Sequence, residues 1–277
     1  MTIAAAAATA ASTHSRMTGE RTALAGYGSD RRYRDAVIPL RRAAGLTGLA
    51  QAAAATRDAI DVVLGQRAVQ VDADRLAAAG LWRGARASAV LDGASAEAAG
   101  QDDPTDPVVR GARRFAAGLP DLSARWQSAP QQVLARLHVL AAADLAHEAA
   151  MGRPRDATSA RRLTSTMAEI DRAAGPSSTV PAIMVASVVH AEVAEAFSPA
   201  GGVVGRAAER IVLAARGVDP LGVLVPEEGF LAEKGGYADE RARLLTGTDE
   251  AVALWFERCA RAYTAAAEVT ARMLAER

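Results

Sequence analysis

Alanine-rich stretches with few aromatic residues between them constrain the fold of this chain more than any other feature. Apolar residues make up 50% of the sequence, but aromatic residues only 4%. Alanine has the highest intrinsic helix propensity, whereas strands favour β-branched and aromatic residues. We therefore expect an all-α fold: a helical bundle that packs through small side chains and contains little or no sheet.

The charge composition creates no overall electrostatic field. The 32 Lys and Arg residues balance the 32 Asp and Glu residues, so no long-range force attracts nucleic acid or an anionic membrane. No strongly apolar run reaches the roughly 18 residues of a membrane span, and the first residues lack the pattern of a signal peptide. We expect a soluble, cytoplasmic protein without a nucleic-acid or membrane partner. Translation starts at Met1 or Met17.

Metal-binding patterns are missing from the sequence. Cys259 is the single cysteine, so it forms no internal disulfide and no cysteine cluster, and we expect it inside a helix. The 4 histidines are widely separated and include no H-E-x-x-H pair. We expect no metal site.

Breaks in the helical pattern divide the chain into three parts. Residues 1–30 contain little that can be buried and predict a disordered tail. Residues 31–100 predict an N-terminal helical region, interrupted near Gly45 and Gly65, and the polar stretch 94–107 reads as a linker. Residues 101–277 predict the core. One helix begins near Ser128, a second covers 158–173, a third begins at Pro181, a fourth ends at Gly217 and a last one follows Thr248. The stretch 218–236 is expected to be irregular.

Two groups of large side chains have simple interpretations. Trp82, Trp126 and Trp255 are expected to anchor the core. The paired arginines are expected on solvated helix faces, with a site for an acidic partner as the alternative: Arg31–Arg32, Arg41–Arg42, Arg113–Arg114 and Arg161–Arg162.

The turn at SPAGG is the most informative segment. Gly201 and Gly202 stand just before a predicted helix, where backbone N–H groups and the helix dipole favour an anion. The alternative is a glycine turn that permits close helix packing. A dinucleotide-binding interpretation fails because the spacing is not G-x-G-x-x-G and the preceding segment has helical length.

The sequence EAFSPAGGVVGR resembles the motif of the Fic family, H-P-F-x-D/E-G-N-G-R-x-x-R, which joins two helices in that family. The two align without a gap over 12 positions. Phe197, Gly202 and Arg206 match. The departures include Glu195 for the histidine, Pro199 for the metal-binding acid, Ala200 for the first glycine, Gly201 for the asparagine and Val203 for the first arginine.

Two further segments are similar to Fic proteins. Members with an N-terminal inhibitory helix carry S/T-x-x-x-E-G/N, and Ser88, Asp92 and Gly93 fit this pattern with Asp in place of Glu. The segment that begins at Tyr237 is similar to the sequence that follows the motif in the family. The resemblance covers residues 86–277 and implies a Fic-like helical bundle with an N-terminal helical extension.

The resemblance implies transfer of a nucleotide monophosphate from ATP to a target hydroxyl, and the substitutions remove most of its chemistry. Glu195 stands at the general-base position, Pro199 has no side-chain ligand for magnesium, and Val203 offers phosphate no charge. The vestigial phosphate site would comprise Gly201, Gly202, Val203 and Arg206. Because such transfer depends on positioning and charge neutralisation, we interpret the chain as a pseudoenzyme without cofactor or metal. It would bind an unidentified protein partner, with binding of a nucleotide as the alternative.

Alternative functions stay open at this point. One is an active Fic-type adenylyltransferase with an altered motif, which would use Glu195 or His190 with ATP and magnesium. Another is a purely structural helical partner. His190 is otherwise expected to be a packed or hydrogen-bonded core histidine.

The resemblance also implies a contact between the two motifs. In inhibited family members the acid of the inhibitory helix pairs with the last arginine of the Fic motif, so we expect Asp92 to pair with Arg206. The alternatives are that Arg206 faces solvent or pairs with Glu209.

Overall fold

A computed structural model describes residues 37–174 and 178–276. In that part of the chain every regular element is helical and no strand forms. The helices are α1 (Leu40–Ala44), α2 (Leu49–Leu64), α3 (Arg67–Val71), α4 (Ala73–Leu91), α5 (Ala96–Gly100), α6 (Pro107–Ser123), α7 (Pro130–Ala142), α8 (Ala157–Arg172), α9 (Ala182–Ala196), α10 (Gly201–Ala215), α11 (Pro226–Ala232), α12 (Tyr237–Leu244) and α13 (Asp249–Ala275), with a 3₁₀ turn at Glu148–Ala150.

The all-α prediction is therefore confirmed. The predicted tail over 1–30, the pair Arg31–Arg32 and the choice between Met1 and Met17 lie outside the described residues. The division near residue 100 stays a prediction. Across the described ranges, no helix combines the length and the apolar character needed to cross a membrane.

A hairpin of α9 and α10 forms the centre of the bundle. α9 is apolar on almost every side, and a helix of that composition must be buried all round; from Ile183 to Ala196 only Glu195 is less than fully buried. Helix α8 packs against α9, while α6 and α7 pack against α10. Helix α4 lies on α6 and α11, and the long α13 packs along α2 and α11. The N-terminal helices thus share one core with the rest of the chain.

The two central helices cross at very short range. A Cβ atom on Gly201 would lie 2.2 Å from the carbonyl oxygen of Ala194, and one on Gly205 would lie 2.5 Å from the carbonyl oxygen of His190. Because glycine has no Cβ atom, the two backbones can approach each other this closely. Close helix packing therefore explains the glycines at 201 and 205.

The helix boundaries agree with several sequence signals and correct others. Thr248 caps α13 by accepting from the Ala251 N–H at 3.3 Å, as predicted. The segment 94–107 is not a plain linker, because Ser95 caps α5 within it. The segment 218–236 is not wholly irregular, because α11 lies inside it. Helix α10 begins at Gly201, so the two glycines form its first turn instead of preceding it.

Two side-chain expectations were wrong. Trp126 and Trp255 are buried, but Trp82 is 50% exposed on α4. Arg162 is not solvated. It is buried and donates from Nε and Nη2 to the Glu192 carboxylate at 2.6 and 2.7 Å. Burial raises the pKa of Glu192 and the Arg162 guanidinium opposes that rise. Cys259 is buried inside α13, as predicted.

Candidate functional site

Residues 197–200 form an elbow between α9 and α10, and a buried histidine of α7 holds it. His138 Nδ1 accepts from the Gly152 N–H at 3.0 Å, so Nε2 carries the ring proton and donates to the Pro199 carbonyl oxygen at 3.1 Å. Burial lowers the pKa of His138 and the hydrogen bond to Pro199 opposes this. The elbow ends at Ala200, whose φ of 62° is a left-handed conformation that glycine adopts most easily.

The carboxylate of Asp92 occupies the N-terminus of α10. One oxygen, Oδ2, accepts from the Val203 backbone N–H at 3.1 Å, and Oδ1 accepts from Arg206 Nη2 at 2.5 Å. A Cβ atom on Gly202 would lie 2.3 Å from Oδ1, so glycine at that position makes room for the carboxylate. A negative group belongs at this end of a helix because the dipole and the free N–H groups favour it. The predicted pair of Asp92 and Arg206 is thus present.

Arg206 is completely buried, and its donors converge on α4 and α12. Besides Asp92, it donates from Nε to Ser88 Oγ at 2.8 Å, from Nη2 to the Ser88 carbonyl at 2.9 Å and from Nη1 to the Tyr237 hydroxyl at 2.8 Å. Burial alone would lower the pKa of Arg206, but the Asp92 carboxylate and the Tyr237 oxygen raise it above its ordinary value. The arginine faces neither solvent nor a partner in Glu209.

The other positions of the predicted motif offer few groups that could hold magnesium or phosphate. Glu195 lies in the last turn of α9, where Arg155 Nη1 and Arg241 Nη2 approach its carboxylate at 3.4 and 3.6 Å. Pro199 offers only a carbonyl, which His138 already uses. Val203 is buried with an apolar side chain. No group of three or more potential metal ligands lies together among the described residues.

A chain of buried polar side chains continues from Arg206 into the core. The Tyr237 hydroxyl accepts from Arg206 and lies 2.7 Å from His190 Nε2, to which it donates. On the other side of the ring, His190 Nδ1 lies 3.1 Å from Glu209 Oε1 without forming a hydrogen bond to it. Glu209 Oε1 accepts from the Tyr263 hydroxyl at 2.5 Å. Burial, with the charges of Arg206 and Arg241, lowers the pKa of His190 well below its ordinary value. His190 is a hydrogen-bonded core histidine, as predicted.

Sequence reasoning did not assign three members of this assembly to their roles. His138 gave no signal, because its partners are backbone atoms. Glu209 was considered only as an alternative partner of Arg206, whereas its carboxylate accepts from the Tyr263 hydroxyl. Tyr237 stood in a segment recognised only by its similarity to the Fic family. Gly93, the last position of the inhibitory-like pattern, follows Asp92 with a φ of 102°, so it ends α4 and supplies no side chain to the site.

Glu209 is expected to make stability fall as pH rises. Burial raises its pKa to about 8 from the ordinary 4.5, against the hydrogen bond from Tyr263 and the charges of Arg206 and Arg210. A folded-state pKa above the unfolded one gives stability that is lost as pH rises through the folded value. Between pH 6.5 and 8 the unfolding free energy of the unmodified chain should drop by about 1 to 2 kcal/mol.

The matched variant is Glu209→Gln, whose neutral amide keeps the shape of the protonated acid. Urea unfolding followed by circular dichroism at several pH values should show a smaller slope for this variant over the same window. His138 and His190, with lowered pKa values, act in the opposite direction only below about pH 6.5. An identical slope in both proteins would contradict the assignment of a buried proton to Glu209.

Two surface concavities lie away from the elbow. One, of about 440 Å³, lies between α6 and α7, and the other, of about 560 Å³, lies among α2, α11 and α13. Neither is lined by a residue of the segment 195–206. At the N-terminus of α10, where the sequence predicted a phosphate position, the Asp92 carboxylate contacts the Val203 N–H and Arg206.

Comparison with known proteins places the fold. The structure is similar to the crystal structure of a Fic family protein from Desulfovibrio desulfuricans G20, with a TM-score of 0.62 and 17% sequence identity over 82% of this chain and 75% of that one. No known protein family matches by sequence, and no curated protein does either. The chain has a Fic-like, all-α fold.

Proposed function

We propose that this chain is a Fic-fold pseudoenzyme that transfers no nucleotide and acts as a binding or regulatory module for another protein. The observation that carries the proposal is the Asp92 carboxylate on the N-terminus of α10. It lies where the resemblance would place a phosphate, and it uses both the helix N–H group and the arginine that a phosphate would need.

Electrostatics supports this proposal. A phosphate that approaches α10 would meet a carboxylate of the same charge, and the donors of Arg206 already face Asp92, Ser88 and Tyr237. Displacement of Asp92 would leave its carboxylate without the two contacts that now compensate its partial burial. An anion therefore has to replace an existing ion pair before it gains any contact.

The general-base position supports the proposal as well. A catalytic base needs a free lone pair within reach of the substrate proton. The carboxylate of Glu195 faces two guanidinium groups, Arg155 and Arg241. His190, the other candidate, is completely buried in the polar chain behind the elbow. His190 therefore presents no proton acceptor at the elbow surface, and two guanidinium groups compete with a substrate for the carboxylate of Glu195.

We expect no nucleotide to stabilise the protein. Thermal unfolding would be measured with ATP, ADP, GTP, CTP or UTP, each with Mg²⁺, and for the unmodified chain and the Asp92→Ala variant. A ligand at about 100 times its dissociation constant stabilises by roughly 2.7 kcal/mol, which would raise Tm by about 5 °C. The unmodified chain should show no rise.

A transfer assay separates the two functions. The protein and a cell lysate would be incubated with ATP labelled at the α-phosphate, and the Asp92→Ala variant would be run beside the unmodified chain. We expect no labelled protein from either. Mg²⁺-dependent labelling would instead support an active adenylyltransferase with an altered motif, and Glu195→Gln would then test which residue acts as the base.

A further inference from the structure

We propose that an exposed surface on α4 docks a protein segment that presents carboxylates beside an apolar side chain. We name it the Trp82 face: it consists of Trp82 and Arg86 of α4 with Arg113 of the neighbouring α6. The inference rests on the proposed binding role and specifies the chemistry of the partner.

Trp82 is unlike the other described tryptophans. Its side chain is 50% exposed, whereas Trp126 and Trp255 are 8% and 0% exposed. A half-exposed indole leaves a large apolar area in water. Tryptophan and arginine are the residues most enriched among those that dominate the binding energy of protein interfaces. The position is therefore well suited to anchor an apolar side chain of a partner.

Contacts within the protein already hold the indole and the guanidinium in place. The guanidinium carbon of Arg113 lies 5.7 Å from the centre of the Trp82 ring, a cation–π arrangement. The same guanidinium donates to the carbonyl oxygens of Gln101 and Asp102. Because these side chains are ordered before binding, this protein loses less side-chain conformational entropy when a partner contacts them.

The charges of the Trp82 face favour an acidic partner. Arg86 lies one turn after Trp82 on the exposed stripe of α4, and its Nη2 would be 3.1 Å from a Cβ atom on Gly100. Both guanidinium groups therefore adjoin the segment 100–102. Within the described ranges, neither Arg86 nor Arg113 forms an ion pair with a carboxylate. Carboxylates of a partner would provide charge-assisted hydrogen bonds that the free protein lacks.

A protein segment fits this surface better than nucleic acid does. Asp102 and Asp103 are exposed on the adjoining segment and would repel a continuous run of phosphates. The formal net charge of the chain is zero, so no general field attracts a polyanion. A peptide can place its few carboxylates beside Arg86 and Arg113 and leave the two aspartates in water.

The test uses the full chain labelled with 5-fluorotryptophan and a capped peptide, Glu-Glu-Leu-Glu-Glu. In the fluorine NMR spectrum, assigned with Trp82→Phe, the Trp82 resonance should move as peptide is added, while those of Trp126 and Trp255 stay in place. We expect a dissociation constant on the order of 1 mM. Peptides with Lys for Glu, or with Ser for Leu, should leave the Trp82 resonance unchanged.

Matched variants test the charge. Arg86→Glu should weaken binding about tenfold, which corresponds to about 1.4 kcal/mol. Arg67→Glu is the control because Arg67 is an exposed arginine on α3 and lies outside the Trp82 face; its affinity should be unchanged. Thermal melts of both variants would establish that they are folded.

Several results would overturn the proposal. One is a Trp82 resonance that does not move at about 5 mM peptide. Others are an equal response to the Lys peptide, or a response to oligo(dT) in place of the peptide. Equal losses of peptide affinity in Arg86→Glu and Arg67→Glu would also overturn it. A nucleotide-dependent rise in Tm would contradict the proposed pseudoenzyme without affecting the fluorine NMR results. The two proposals therefore fail separately.

Discussion

Replacement of Arg206 by methionine should lower the unfolding free energy by about 3 to 5 kcal/mol, the usual cost when one partner of a buried ion pair is removed. Arg206 is completely buried and donates to Ser88, Tyr237 and Asp92. Methionine fills much of the same volume but donates nothing. The partly buried Asp92 carboxylate and the buried Tyr237 hydroxyl would then lose their donor. Urea unfolding, with unchanged m values, would measure the loss.

Three control variants sharpen this result. Arg57→Met removes an exposed arginine paired with Asp61 on α2 and should cost no more than about 0.5 kcal/mol. Arg206→Lys keeps the charge but not the fork of donors, so its cost should be intermediate. The double variant Arg206→Met/Asp92→Ala should be more stable than Arg206→Met, because it removes the unpaired carboxylate. Equal losses from Arg206→Met and Arg57→Met would show that the pair contributes nothing beyond a surface contact.

Gly201→Ala should be the second severe substitution, with a loss of about 3 kcal/mol, at the upper end of what overpacking costs. The added Cβ atom would lie 2.2 Å from the Ala194 carbonyl oxygen and 3.2 Å from its carbonyl carbon. These are backbone atoms of α9, which is buried on nearly all sides, so neither helix can move away without disturbing the core. Thermal and urea unfolding would both report the change.

Gly45→Ala provides the matched control for that prediction. Its φ of −85° suits alanine, and the nearest atoms to the added Cβ would be 3.4 and 3.7 Å away. Stability should be unchanged or raised by up to about 1 kcal/mol, because alanine restricts the unfolded chain. If Gly201→Ala were tolerated as well as Gly45→Ala, the central crossing would have to be looser than these distances indicate.

Local sequence signals predicted the helices that are long and capped. They failed where contacts between distant parts of the chain determine where a helix begins or whether it forms. Thr248 and the acidic first turn of α13 are local features, and they were sufficient to predict where this helix begins. The start of α10 was misplaced because Gly201 and Gly202 indicate a turn by propensity, while the crossing with α9 and the approach of Asp92 stabilise them inside a helix. The short α5 and α11 were missed for a related reason, since their stability comes from packing.

The candidate site was predictable only in part. The pairing of Asp92 with Arg206 came from a resemblance between motifs, because no periodicity connects residues more than 100 positions apart. The role of His138 depends on two backbone partners, Gly152 and Pro199, and no pattern of residue types encodes such contacts. Tryptophan is usually buried, but Trp82 is exposed. Only the packing of α4 against its neighbours could show that exposure.

The contact between Asp92 and α10 shields the N-terminus of this helix from dissolved anions. Because the carboxylate belongs to the same chain, it competes with dissolved anions at a high effective concentration set by the tether. Ordinary fluctuations in cellular phosphate or nucleotide levels should therefore not change its occupancy. Only a force or a bound molecule that shifts α4 itself can vacate the position, so we expect the elbow to respond to mechanical or conformational input and to ignore metabolite concentration.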